Sequence, residues 1–260
     1  GLSPLHIALN GQFLSVARIV LDSLPKRSIR ISLALVDNKS KNMLYDVAME
    51  LWGMYPTHPL LEIVGEFVQI DSEIPKRIIP KNVRWRLLYF ACTQPSCKED
   101  EELIAQMVRT LLSRKEEEDD TDVNKPDEDG CTPLYAASAK GHVQIVQTLL
   151  KKDDIDVNKP KNTGGTPLYI ASDRGHAQIV KTLLARDDID VNKPDQDGYS
   201  PLCMASQNGH VHIVKTLLAK DDIDVNKPAK NGWTPLHFAS FKGHVQVVAA
   251  LLTRDDIDVN

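Results

Sequence analysis

Large aromatic rings are scarce in this sequence: Phe, Trp and Tyr together make up 5% of its 260 residues. That argues against a core built on big side chains and for close packing of small-residue helices. Cysteine is sparse as well. Cys92, Cys97, Cys131 and Cys203 show no framework spacing, which excludes a disulfide-stapled scaffold and reads as free thiols in a reducing compartment. No apolar run approaches the ~20 residues that span a bilayer, and no secretory leader is visible. With 31 basic against 36 acidic side chains the net charge is −5, so no global positive field invites nucleic acid. Chemical signatures are missing too: there is no HExxH and no glycine-rich phosphate loop, and no motif selects a Ser-His-Asp set. Enzymatic activity, cofactors and metals are therefore not expected.

What the sequence does have is repetition. TPLYAASAKGH opens at Thr132, TPLYIASDRGH at Thr166, SPLCMASQNGH at Ser200 and TPLHFASFKGH at Thr234, at intervals of 34 residues. A fixed period of this size means stacked supersecondary units, each unable to bury its apolar face alone. Within one unit, Thr132 before Pro133 predicts a capped helix start. Leu134 and Ala137 fall on one face of a short first helix, Gly141 breaks it, and His142 opens a second. Val146, Leu149 and Leu150 make the stripe of that second helix. Asp156-Val157-Asn158 and Pro160 then lead through an extended arm to a turn at Lys161-Asn162-Thr163-Gly164.

TPL[HY]-x-A followed by GH-x-x-[IV]-V-x-x-LL and D-V-N resembles the ankyrin repeat. The resemblance implies an all-α fold, an α-solenoid of helix-turn-helix units with projecting β-hairpins. It also implies a concave groove, lined by hairpins and first helices, that binds a partner protein or peptide. The common family period is one residue shorter, and the extra residue falls in Asp153-Asp154-Ile155, an outer loop. Residues 132–260 hold four regular repeats. Residues 1–131 read as three divergent ones, with signature leucines Leu5, Leu44 and Leu88 and insertions at 52–59 and 94–102. Both ends, Gly1-Leu2-Ser3-Pro4 and Asp258-Val259-Asn260, fall inside a unit, so a segment of a longer intracellular, cytoplasmic protein is expected.

Several constellations could carry chemistry. His142, His176, His210 and His244 recur with the period and read as structural residues opening each second helix. His210 and His212 do not share a helix face, so they make no zinc pair. DEDG (127–130) and DQDG (195–198) look like calcium loops, but Lys125 and Lys193 stand where such a loop needs its first carboxylate. The acidic DD-x-D segments, each preceded by Lys152, Arg186, Lys220 or Arg254, predict surface ion pairs between neighbouring repeats.

Positions that differ between otherwise near-identical copies are the ones free to recognise a partner. They lie at hairpin tips and first-helix ends, where the resemblance puts contact residues. Partner binding is therefore expected at Trp233, Tyr199, Phe241, Lys242, Gln207, Asn208, Asp173, Arg174 and Lys140, with Trp85 at the equivalent tip of an earlier repeat. Removing Trp233 or Tyr199 should weaken a partner without lowering the melting temperature; the competing expectation is that Trp233 merely packs on its neighbouring hairpin. A basic finger of Lys76, Arg77, Lys81, Arg84 and Arg86 around Trp85 could take an acidic peptide, a phosphate or a lipid head group. The resemblance further implies hydroxylation by an intracellular asparaginyl hydroxylase at Asn158, Asn192, Asn226 and Asn260, each with a leucine eight residues upstream; Asn124 has Glu116 there. A protein-interaction module follows, with a spacer between other domains as the alternative. Nucleic acid and membrane insertion are not expected, and a monomer is the default.

Overall fold

A computed structural model describes residues 122–259 continuously and, before them, separate helical residues within 85–93 and 104–112. Contacts divide the chain into two compact units, Gly1–Gln94 with Lys98–Thr121, and Pro95–Cys97 with Asp122–Asn260. Lys76, Arg77, Lys81, Arg84 and Arg86, the insertions at 52–59 and 94–102, the repeats expected before residue 85, and Asn260 lie outside the described residues. In the first unit Leu88, Ala91, Cys92, Ala105 and Val108 are fully buried.

Eight helices make up the described part of the second unit: α1 Pro133–Lys140, α2 Val143–Leu149, α3 Pro167–Arg174, α4 Ala177–Leu183, α5 Pro201–Gln207, α6 Val211–Leu218, α7 Pro235–Phe241 and α8 Val245–Leu251. Each odd-numbered helix starts where the sequence demands. The Thr132, Thr166 and Thr234 hydroxyls and that of Ser200 accept from the backbone N–H three residues on, and proline takes the first helical position. A cap of this kind is worth about 1 kcal/mol, and proline there forfeits no hydrogen bond. Each even-numbered helix follows a glycine of positive φ, at Gly141, Gly175, Gly209 and Gly243. Helices this short are marginal alone, so their stability comes from packing.

That packing runs in two rows. Helices α1, α3, α5 and α7 lie side by side in order, and α2, α4, α6 and α8 form a second row behind them. Leu134, Leu168 and Leu202 from the first row and Leu149, Leu183, Leu217 and Leu251 from the second are fully buried. Each contributes about 2 kcal/mol by leaving water. Ala137, Ala171, Ala205 and Ala239 are fully buried at one shared register, which lets neighbouring first helices approach closely.

Two expectations change. The projecting arms contain no strand among the described residues: each is a tight turn closed by two backbone bonds, such as Lys161 N–H to Gly165 O at 3.0 Å with Gly164 N–H to Lys161 O at 2.8 Å. Both bonds belong to the turn itself, and no ladder extends from it. The Asp-Asp-Ile segment, expected to be only an outer loop, also feeds the core, because Ile155, Ile189 and Ile223 are buried while the aspartates before them are exposed.

Candidate functional site

The finger tips stand next to one another, tied by main-chain and side-chain bonds. Asn162 donates its N–H to Asp129 O at 3.0 Å and its Nδ2 to Glu128 O at 3.0 Å. Gln196 repeats this one unit on, with its N–H to Thr163 O at 2.9 Å and its Nε2 to Asn162 O at 2.7 Å. Lys230 N–H continues the series to Asp197 O at 2.9 Å. Asp195 and Asp127, which lead the DQDG and DEDG segments, cap their own turns. Asp127 Oδ1 accepts from the N–H groups of Asp129 and Cys131, and Asp195 Oδ1 accepts from those of Asp197 and Tyr199. The other oxygen of Asp195 accepts from the Tyr169 hydroxyl at 3.0 Å. Among the described residues no group of three or more His, Cys, Asp or Glu could hold a metal ion.

The expected contact residues separate into two groups. Asp173, Arg174, Asn208 and Gln207 are engaged with the stack itself. Asn208 Nδ2 donates to both the carbonyl and the carboxylate of Asp173, at 3.0 and 2.9 Å, and Arg174 pairs with Asp173 at 3.5 Å. The Gln207 carbonyl is held by His244. Lys140 is the exposed last residue of α1.

Trp233, Tyr199, Phe241 and Lys242 form the second group, around a ring that sequence reasoning missed. Phe238, buried on α7, packs on Trp233 at 5.2 Å and Tyr199 at 5.4 Å between ring centroids. Trp233 also meets Phe241 edge-on at 5.1 Å. Beneath them lie Cys203 and Ala229. Phe241 is 71% exposed, and the Lys242 ammonium sits 5.8 Å over its ring. Trp233 and Tyr199 are half-buried, so removing either ring disturbs packing as well as surface. They are therefore not the stability-neutral positions the sequence suggested. The only available signal for Phe238 was its place in the repeat, where other copies hold Ala136, Ile170 and Met204.

Trp85 differs from expectation. It is helical and half-buried, stacked on Tyr89 one turn later at 5.3 Å and 20°, and so not at a finger tip. The regular repeats put proline two residues after the corresponding position, and proline forces the residue before it out of the helical region. Leu87 stands there instead, and nothing keeps the helix from starting earlier.

The periodic polar residues hold repeats together. The Nε2 of His176, His210 and His244 lies 3.3, 3.0 and 3.0 Å from the carbonyls of Ala139, Asp173 and Gln207 in the preceding unit. None of the three caps its own helix with its side chain. Each D-V-N motif works in two stages. Asp190 Oδ1 accepts the Asn192 N–H at 3.0 Å, a local turn. The freed Asn192 amide then donates to Asp222 O at 2.6 Å and accepts from Asp224 N–H at 2.9 Å. Asn124, Asn158 and Asn226 make the same two-sided staple to the next unit. The expected inter-repeat ion pairs are replaced by local ones: Arg186 pairs with Asp188 and Arg254 with Asp256, both at 2.9 Å. The guanidinium geometry suits a carboxylate two residues away, and only its remaining N–H reaches back, to Leu150 O or Leu218 O. Those arginines hold Asp188 and Asp256 below the usual carboxylate range.

No helix among the described residues is long and apolar enough to cross a membrane. A family model described as ankyrin repeats, in three copies, matches residues 88–195 and again 188–260. Comparison with curated proteins gave no significant match. Ankyrin repeats generally serve as protein–protein interaction modules and are typically non-catalytic. The helix-turn-helix period, the capped Thr/Ser-Pro starts, the stitched tips and the matched span agree: the chain belongs to the ankyrin-repeat family.

Proposed function

We propose that this chain is the recognition segment of a larger intracellular protein, binding a partner protein or peptide across its finger tips and first-helix ends. One observation carries the reading. Trp233, Phe238, Tyr199 and Phe241 form one continuous aromatic cluster across a finger tip and a first-helix end, an anchor of the kind that dominates interface energetics. Aromatic surface of this kind favours contact with a partner over a solvated spacer.

The test is affinity capture from lysate with the native segment beside a Phe241→Ala/Lys242→Glu variant, both shown to melt at the same temperature. A protein kept by the first and lost from the second supports the reading. Equal capture by both would overturn the placement of the site, and empty capture by both would favour the spacer.

A further inference from the structure

Resting on that protein-binding reading, we infer the chemistry of the occupant: an extended peptide with a bulky apolar side chain flanked by carboxylates. The charge distribution of the last unit carries this. Residues 229–253 contain no Asp or Glu, in a chain of net charge −5. The equivalent stretches do contain them: Asp127, Glu128 and Asp129 in the first regular unit, Asp173 in the second, Asp195 and Asp197 in the third. Around the aromatic cluster stand exposed Lys230, on the finger, and exposed Lys242, on the helix end. The adjoining tip carries Asp197, so what sets the last unit apart is cations without carboxylates along its finger and first helix.

The two features fit one ligand. The edge-on Trp233–Phe241 pair offers apolar contact to a side chain such as Leu or Phe. The Lys242 ammonium rests on the Phe241 ring at 5.8 Å, and an exposed contact of that kind is weak. It is given up cheaply for a carboxylate. Single-stranded nucleic acid could also stack on aromatic rings, but it needs a basic groove that tracks its backbone. Here the line of tips running away from the cluster bears Asp197, Asp129 and Glu128. Peptide is the better occupant.

The test uses fluorescence anisotropy of three labelled peptides sharing a central Leu-Phe pair, flanked by Asp/Glu, by Asn/Gln or by Lys, with labelled oligothymidylate beside them. The acidic-flanked peptide should bind about tenfold tighter than the neutral one at low ionic strength, a preference that shrinks with salt. Lys230→Glu/Lys242→Glu should invert the order in favour of the Lys-flanked peptide at unchanged melting temperature, and Phe241→Ala should weaken every peptide. Equal binding of the three peptides, still sensitive to Phe241→Ala, would overturn the charge assignment and leave the protein-binding reading standing. Silence from all three peptides, with a captured protein that depends on Phe241, would do the same. Binding of the oligothymidylate alone would overturn both.

Discussion

The imidazole of His210 lies on Gly175: a Cβ built on that glycine would stand 2.8 Å from the His210 Cε1. The same ring is pinned through Nε2 to the Asp173 carbonyl at 3.0 Å. Glycine is needed there twice, for its φ of +80° and for the space under the ring.

Gly175→Ala should therefore cost more than Gly243→Ala. Gly243 has a φ of +72°, but a Cβ added there would meet nothing within 4 Å, so alanine loses only backbone comfort, about 1 kcal/mol. At Gly175 the ring must move and strain its hydrogen bond, for a total of about 2–3 kcal/mol. Urea midpoints of the two variants measure the difference, and equal losses would show that the ring yields freely.

Asn192→Ala removes both bonds of one staple. The abandoned groups, Asp222 O and Asp224 N–H, belong to exposed residues, so water replaces part of what is lost and the cost should be about 1–2 kcal/mol. Faster hydrogen exchange at the Asp224 amide, with distant amides unaffected, is the expected signature. An unchanged Asp224 rate would mean the asparagine contributes nothing to the joint.

Leu183 is fully buried in the second row and Ile189 is buried in the outer turn. Leu183→Ala should destabilise by about 2–5 kcal/mol. Ile189→Ala should cost about 2 kcal/mol, well outside the roughly ±0.5 kcal/mol typical of surface positions. Denaturant titration decides whether the Asp-Asp-Ile segment belongs to the core.

Burial pushes the Tyr135 phenol up to about 12, helped by the Cys131 thiol and Asp173, and burial with the Asp195 carboxylate raises Tyr169 further still. A phenol that ionises less readily when folded stabilises the fold fully below its unfolded value near 10. That contribution is lost as pH rises through the folded value. Stability should fall between about pH 10 and 12, and Tyr135→Phe/Tyr169→Phe should flatten that fall. Phenolate absorbance followed beside circular dichroism should show these two tyrosines ionising together with unfolding.

Much of the scaffold was legible because helix starts and stops are local events. Thr132-Pro133 and Gly141 mark their ends without reference to anything distant, and the period supplied the stacking. The site was less legible. Whether Trp233 is a contact or a packing residue depends on Phe238 in the helix that follows and on Tyr199 a whole unit earlier, and no local pattern encodes that convergence. The histidines were rightly structural, but their bond crosses 37 residues, so the sequence could not name the carbonyl. Ion pairs were misjudged for a related reason: like charges in every copy suggested pairing between copies, whereas Arg186 finds Asp188 two residues away, where chain connectivity makes the encounter cheap.

The asparagine staple binds a neighbour's main chain and ignores its side chains, since Asp222 O and Asp224 N–H are peptide groups. The staple itself can therefore be kept whichever unit follows, and duplication or deletion of a whole unit would leave this part of the joint intact.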